Sequence, residues 1–96
     1  MRVTYHPLVR RDVLEITKYY RNIAPHLAEE FRVELKARIA QIGANPGRFG
    51  FIASGLRRSS LDRFPYQIVY EHSEEEIRIM VVRHHRRRPT FGMRRR

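Results

Sequence analysis

Apolar residues recur along the chain with two different periods, and the change of period divides it roughly in half. Val9, Val13, Ile16 and Tyr20 follow at intervals of four, three and four residues, which stacks them on one face of a helix. Arg10, Arg11, Asp12 and Lys18 then fall on the face expected to meet water. Ahead of this segment residues 3–5 read as a short strand ending at His6-Pro7. Pro7 suits the first helical position, where a missing N–H goes unused. Pro25 stops the helix near Asn22, Ile23 and Ala24, because the residue before a proline is pushed out of the helical region.

The next segment repeats the helical period more strongly. Leu27, Phe31, Leu35, Ile39 and Ile42 form an apolar stripe, and Glu29, Glu30, Arg32, Glu34 and Lys36 form a charged face. Gly43 offers a left-handed cap and Asn45-Pro46 blocks continuation. Each stripe leaves an apolar face that the rest of the chain must cover. Residues 47–55 read as a loop in which Phe49 and Phe51 tuck onto the core. Beyond it the period becomes two, and residues 56–61, 66–71 and 77–82 read as strands joined by turns at Phe64-Pro65 and at residues 72–76. In the last of these, alternation places Ile77, Ile79 and Val81 on one face and Met80 and Val82 on the other, as a central strand requires. The order is β-α-α-β-β-β. It predicts a two-layer α+β sandwich with a helical hairpin packed on a mainly antiparallel sheet.

A chain of 96 residues with 42% hydrophobic content supports one core. We expect a single domain over residues 1–91, followed by a basic tail over residues 92–96 that is equally readable as disordered or as a binding element. Cysteine is absent, which excludes disulfides and thiolate metal sites. No segment has the length and apolarity of a membrane span, and the N-terminus lacks the apolar core of a secretory signal, so a soluble cytoplasmic protein is expected.

Charge adds what the pattern does not. The formal net charge is +10, yet residues 1–76 carry twelve basic and ten acidic side chains, whereas residues 77–96 carry eight arginines and no acid. Lys18 and Lys36 are the only lysines. Guanidinium forks grip phosphate and carboxylate in a bidentate way, although a genome rich in G and C produces the same skew without any function. A block of one sign calls for an acidic partner, a solubility role or disorder.

Several of these features occur together in the order of a known family. They are the helical hairpin, Asn45-Pro46, Leu56-Arg57-Arg58, the run Arg63-Phe64-Pro65-Tyr66-Gln67-Ile68-Val69-Tyr70, and Val81-Val82-Arg83-His84-His85-Arg86-Arg87. In this the chain resembles the RelE/ParE superfamily of toxins from type II toxin–antitoxin operons, from Tyr5 to about Pro89. The resemblance implies a toxin neutralised by a cognate antitoxin whose acidic, amphipathic segment wraps the helices and sheet, giving a toxin–antitoxin hetero-oligomer. It also implies one of two targets, since RelE-like members cut messenger RNA on the ribosome and ParE-like members inhibit DNA gyrase. Neither activity needs a metal or other cofactor.

Metal-free RNA cleavage requires a base, an acid and cations on the phosphorane. His85 is the candidate base or acid, with Arg86 and Arg58 as cations. His84 and His85 point to opposite faces if both lie in a strand, which argues against a two-histidine metal site. Against cleavage, the residue after Tyr66 is Gln67 where RelE-like enzymes usually have arginine, and the tail carries Phe91 where they tend to place tyrosine. A binding surface needs only the arginines, and Arg57, Arg58, Arg83, Arg86, Arg87 and Arg88 are its candidates. The leading expectation is therefore ParE-like inhibition of gyrase by binding. A ribosome-dependent endoribonuclease is the alternative, and a non-toxic RNA-binding module is a third reading that rests on charge alone. Tyr19, Tyr20, Tyr66 and Tyr70 are read as core rather than as stacking platforms for bases, and Glu74-Glu75-Glu76 as a solvated turn.

Overall fold

The two apolar stripes become two helices. The structure, a computed structural model, describes residues 1–53 and 55–95, so Ser54 and the final arginine, Arg96, lie outside the described residues. In chain order it contains β1 (Arg2–Tyr5), α1 (Val9–Ile23), α2 (Pro25–Ala44), a 3-10 turn at Pro46–Arg48, β2 (Phe51–Ala53), β3 (Leu56–Ser60), β4 (Tyr66–His72) and β5 (Glu76–His84). Ala24 alone separates the helices, in an extended conformation. Tyr20 stacks on Phe31 at 6.0 Å while Val13 lies beside Leu35 and Ile39, so the helices run antiparallel. They cover one face of a five-stranded sheet of order β1-β5-β4-β3-β2, in which β1 runs parallel to β5 and every other pair is antiparallel. No helix is long and apolar enough to cross a membrane among the described residues.

The expected α+β layering is present, with local differences that have physical causes. Pro7 is not the first helical residue. Pro7 and Leu8 form a turn in which the buried His6 ring accepts the Leu8 N–H on Nδ1 at 3.1 Å and the His6 carbonyl accepts the Val9 N–H at 3.0 Å. Gly43 does not cap α2 either. The helix runs on through Ala44 and breaks at Asn45 (φ −152°, ψ 78°), whose conformation Pro46 restricts. The segment expected as a plain loop contains β2, a short edge strand on β3. Phe49 packs on the core as anticipated, but Phe51 is 68% exposed beneath the Arg57 guanidinium, 3.8 Å from its ring centroid.

The alternation in β5 also breaks. Val69 pairs with Val81 and Tyr70 with Ile79, so Met80 is an extra residue bulged out of the ladder. Ile77, Ile79 and Val82 consequently face the helices, while Met80 and Val81 share the opposite face with Leu56 and Val69. The helix-side core is sealed by Tyr20, Phe31, Phe64 and Tyr66, packed largely edge to face at centroid distances of 5.0–6.1 Å. Tyr70, fully buried, donates its hydroxyl to the Pro46 carbonyl at 2.6 Å and ties the end of α2 to β4.

Two acids of the α2 face expected to be solvated also hold the fold. The Glu34 carboxylate accepts the Asp62 N–H at 2.8 Å and the Arg63 N–H at 3.2 Å, and Glu30 pairs with the Arg63 side chain. Arg38 donates to the Ser59 hydroxyl at 2.9 Å and to Asp62 at 3.1 Å. The β3–β4 connection is thus pinned to α2.

Two substitutions test this arrangement in urea unfolding. Phe31→Ala removes a fully buried ring from the aromatic seal and should cost about 3–5 kcal/mol. Tyr70→Phe loses one neutral hydrogen bond and should cost roughly 1 kcal/mol. Both should lower the midpoint with little change in the slope of the transition.

Candidate binding surfaces

Alternation along β3, β4 and β5 decides which arginines are free. Arg57 points to the helix side, where it donates to the carbonyls of Phe49 and Gly47, and its guanidinium covers Phe51. Arg83 points to the opposite face and is buried. Its Nε and Nη2 donate to Gln67 Oε1 at 3.3 and 3.2 Å, and its Nη1 donates to the carbonyls of Pro89 and Phe91 at 2.7 and 2.8 Å. Burial, and after it the charge of Arg58, lowers the Arg83 guanidinium below its ordinary value. Arg57 and Arg83, both expected at the binding surface, make these hydrogen bonds within the chain. Arg58, Arg86, Arg87 and Arg88 remain exposed.

β5 ends at His84, and the next residues turn. The His85 N–H caps Pro65 O at 3.0 Å, and its ring is exposed. His84 Nδ1 accepts the Arg86 N–H at 3.0 Å, which leaves the ring proton on Nε2 in the neutral form, and the ring meets Tyr66 edge-on at 5.1 Å. Burial, followed by the charges of Arg86, His85 and Arg87, holds His84 below the usual histidine value. Burial and then Tyr20 push the Tyr66 hydroxyl up to about 12. Near neutral pH His84 is uncharged and Tyr66 keeps its proton. No group of three or more His, Cys, Asp or Glu able to hold a metal exists among the described residues.

A cleft of about 220 Å³ separates α1 from the turn after β5, lined by Asp12, Glu15, Tyr19, Tyr66, His84 and Arg87 among others. Arg87 lies over the Phe91 ring at 4.4 Å. Asp12 had been expected in water, yet it is only 6% exposed. Its carboxylate accepts the Val82 N–H at 3.1 Å and is gripped by Arg95 at 2.6 and 2.8 Å. The signal was available, since Val9, Asp12 and Ile16 are themselves spaced by three and four.

A second surface lies between the helices and β1. There a groove of about 570 Å³ has Val9, Val13, Leu35 and Ile39 in its walls, with Tyr5 and Leu14 half exposed at its margin. Arg10 and Arg32 line the same groove, Lys36 lines the pocket beside it, and none of the residues lining either is acidic. An apolar floor under a cationic border suits an acidic amphipathic segment.

The lowered value of His84 carries a pH dependence of fixed sign. Above the ordinary histidine pKa both folded and unfolded chains hold it neutral, and stability is complete. As pH falls below that value the unfolded chain takes up the proton first, so stability declines until the folded value is passed. His84→Gln should remove this component, read as the difference in urea midpoint between variant and parent across the mildly acidic range.

Comparison with known proteins agrees with the fold and names the family. A chain from the chromosomal ParDE toxin–antitoxin system of P. aeruginosa superposes with a TM-score of 0.78 at 19% sequence identity, over 88% of this chain and 95% of that one. No curated protein matches the chain in sequence. The family profile of the ParE toxin of the type II toxin–antitoxin system, parDE, matches residues 3–89, and the chain therefore belongs to the ParE toxin family.

Proposed function

We propose that this chain is a growth-inhibiting cytoplasmic toxin that acts by binding DNA gyrase and is neutralised by a cognate antitoxin. The observation that carries the reading is the state of Arg83. The sheet face on which Arg58 and Arg83 would meet a phosphate is crossed by the chain's own residues 89–95, whose carbonyls occupy the Arg83 donors. With His85 in the turn beyond β5 and Phe91 packed on the back of the sheet, no acid, base and cation converge there among the described residues. Arg86, Arg87 and Arg88 remain as a compact exposed cluster, which suffices for docking on an acidic surface. Family membership and the ParDE neighbour support the same reading.

The antitoxin's place is the groove of Val13, Leu35 and Ile39, bordered by Arg10, Arg32 and Lys36. It takes the apolar side of an acidic helix or strand, with carboxylates on the surrounding cations.

Two experiments follow. Micromolar purified toxin should inhibit supercoiling by gyrase, and reversing Arg87 and Arg88 to glutamate should weaken inhibition roughly tenfold or more, with the effect shrinking as salt rises. Unimpaired supercoiling would end the gyrase reading. New cleavage sites in translated messages that vanish with His85→Ala and Arg86→Ala would replace it with a ribosome-dependent endoribonuclease. For the groove, Arg10→Glu combined with Arg32→Glu should lower affinity for a co-expressed acidic antitoxin by roughly tenfold or more while leaving circular dichroism unchanged. Full retention of the complex would move the antitoxin site elsewhere.

A further inference from the structure

Residues 88–95 follow the turn after β5 and cross the back of the sheet, held by three kinds of contact. Arg83 reaches up from β5 to the carbonyls of Pro89 and Phe91 at 2.7 and 2.8 Å. Phe91 and Met93 pack on the apolar cluster of Leu56, Val69, Met80 and Val81. Between them Gly92 adopts φ +78° directly over Val81, where a Cβ would stand 2.7 Å from the valine Cβ. Only glycine accommodates both that conformation and that approach.

The third contact lies at the edge of β5. Pairing with β1 ends where Tyr5 meets Ile79, and the last backbone bond on that side is His6 N–H to Ile79 O at 2.8 Å. Beyond it the Val82 N–H and the Met80 carbonyl have no strand to meet. Asp12 Oδ2 accepts the first at 3.1 Å, and Arg95 Nη1 donates to the second at 3.0 Å. The two side chains also bind each other through both carboxylate oxygens, at 2.6 and 2.8 Å, and are 6% and 11% exposed. An acceptor and a donor joined as an ion pair stand in for the missing strand.

We propose that residues 89–95 are a strap latched by the Asp12–Arg95 pair, a local two-state element that opens without unfolding the domain. Closed, it hides the Val81 face, saturates the β5 edge and sets Phe91 beneath Arg87, fixing one side of the basic surface. Open, it returns both charges to water, frees the Arg83 guanidinium beside Arg58 and bares an apolar patch. The proposal bears on the proposed function, which rests on the closed strap and its hold on the Arg83 donors. It concerns a short segment whose charged attachments, Arg95 to Asp12 and Arg83 to two carbonyls, are few and specific, as expected of a unit that opens alone.

Amide hydrogen exchange on the full chain tests it. Arg95→Ala, a substitution in the strap rather than the core, should speed exchange at Val82, Phe91 and Met93 by roughly tenfold or more, with Ile68 and Ile79 unchanged. Arg95→Lys should fall between, since an ammonium cannot span both carboxylate oxygens. Gly92→Ala should give the same local pattern by steric means, and Arg94→Ala, at an exposed neighbour, should give none. Unchanged protection at Val82 and Met93 in Arg95→Ala would overturn the latch, as would an equal effect of Arg94→Ala. Acceleration that includes Ile68 would also overturn it, by showing that Arg95 supports the whole fold rather than a local closure.

Discussion

One surplus residue in the interior strand β5 governs the rest of the molecule. β5 pairs with β4 along its length and with β1 over its first half, and has packed residues on both faces, so whichever way its side chains point, they must be matched. The bulge at Met80 reverses the alternation midway. Val82 and His84 thereby turn to the helices, where Val82 joins the core and His84 meets Tyr66, and Arg83 turns to the back of the sheet. Without the bulge Arg83 would face the helices instead of Gln67 and the Pro89 and Phe91 carbonyls. The back of the sheet instead supplies Gln67 and two carbonyls, and the strap acquires its anchor.

The charge of the chain is accordingly less a single basic patch than a division of labour. Arg38 and Arg63 bind α2 to the β3–β4 connection, Arg57 holds the β2 segment, and Arg83 and Arg95 secure the residues after β5. Arg58, Arg86, Arg87 and Arg88, and Arg10, Arg32 and Lys36 around the groove, are exposed by contrast. Planar, multidentate guanidinium explains the preference for arginine at the inward positions, where one side chain must satisfy two or three acceptors at once.

The sequence was most readable where a regular period ran over several turns or residues. Both helices, the last three strands and the layering follow from such periods, since burial of one face is what periodicity encodes. It was least readable where a single residue departs from the local rule. Asp12 sits within an apolar stripe but carries charge, and only the arrival of Arg95 from the far end of the chain makes its burial tolerable. Gly43 has the identity of a cap, yet the helix ends where Pro46 dictates. Phe51 looked like core and became an exposed shelf for Arg57 because a short edge strand set its direction. The arginine run was visible as charge, but which members are free depends on strand register, which composition does not carry.

β1 and β5 are neighbours in the sheet although 74 residues separate Arg2 from Glu76. Of the five strands, β5, which lies between β1 and β4, is the last to be made during synthesis. Until it exists β1 has no ladder to join, β4 lacks one of its two neighbours, and the helical hairpin has no complete surface on which to lay its stripes. Long-range pairing of this kind slows folding and lengthens the exposure of apolar segments. Val82 of β5 lines the groove and Arg86, Arg87 and Arg88 follow β5, so neither surface is complete before β5 is made.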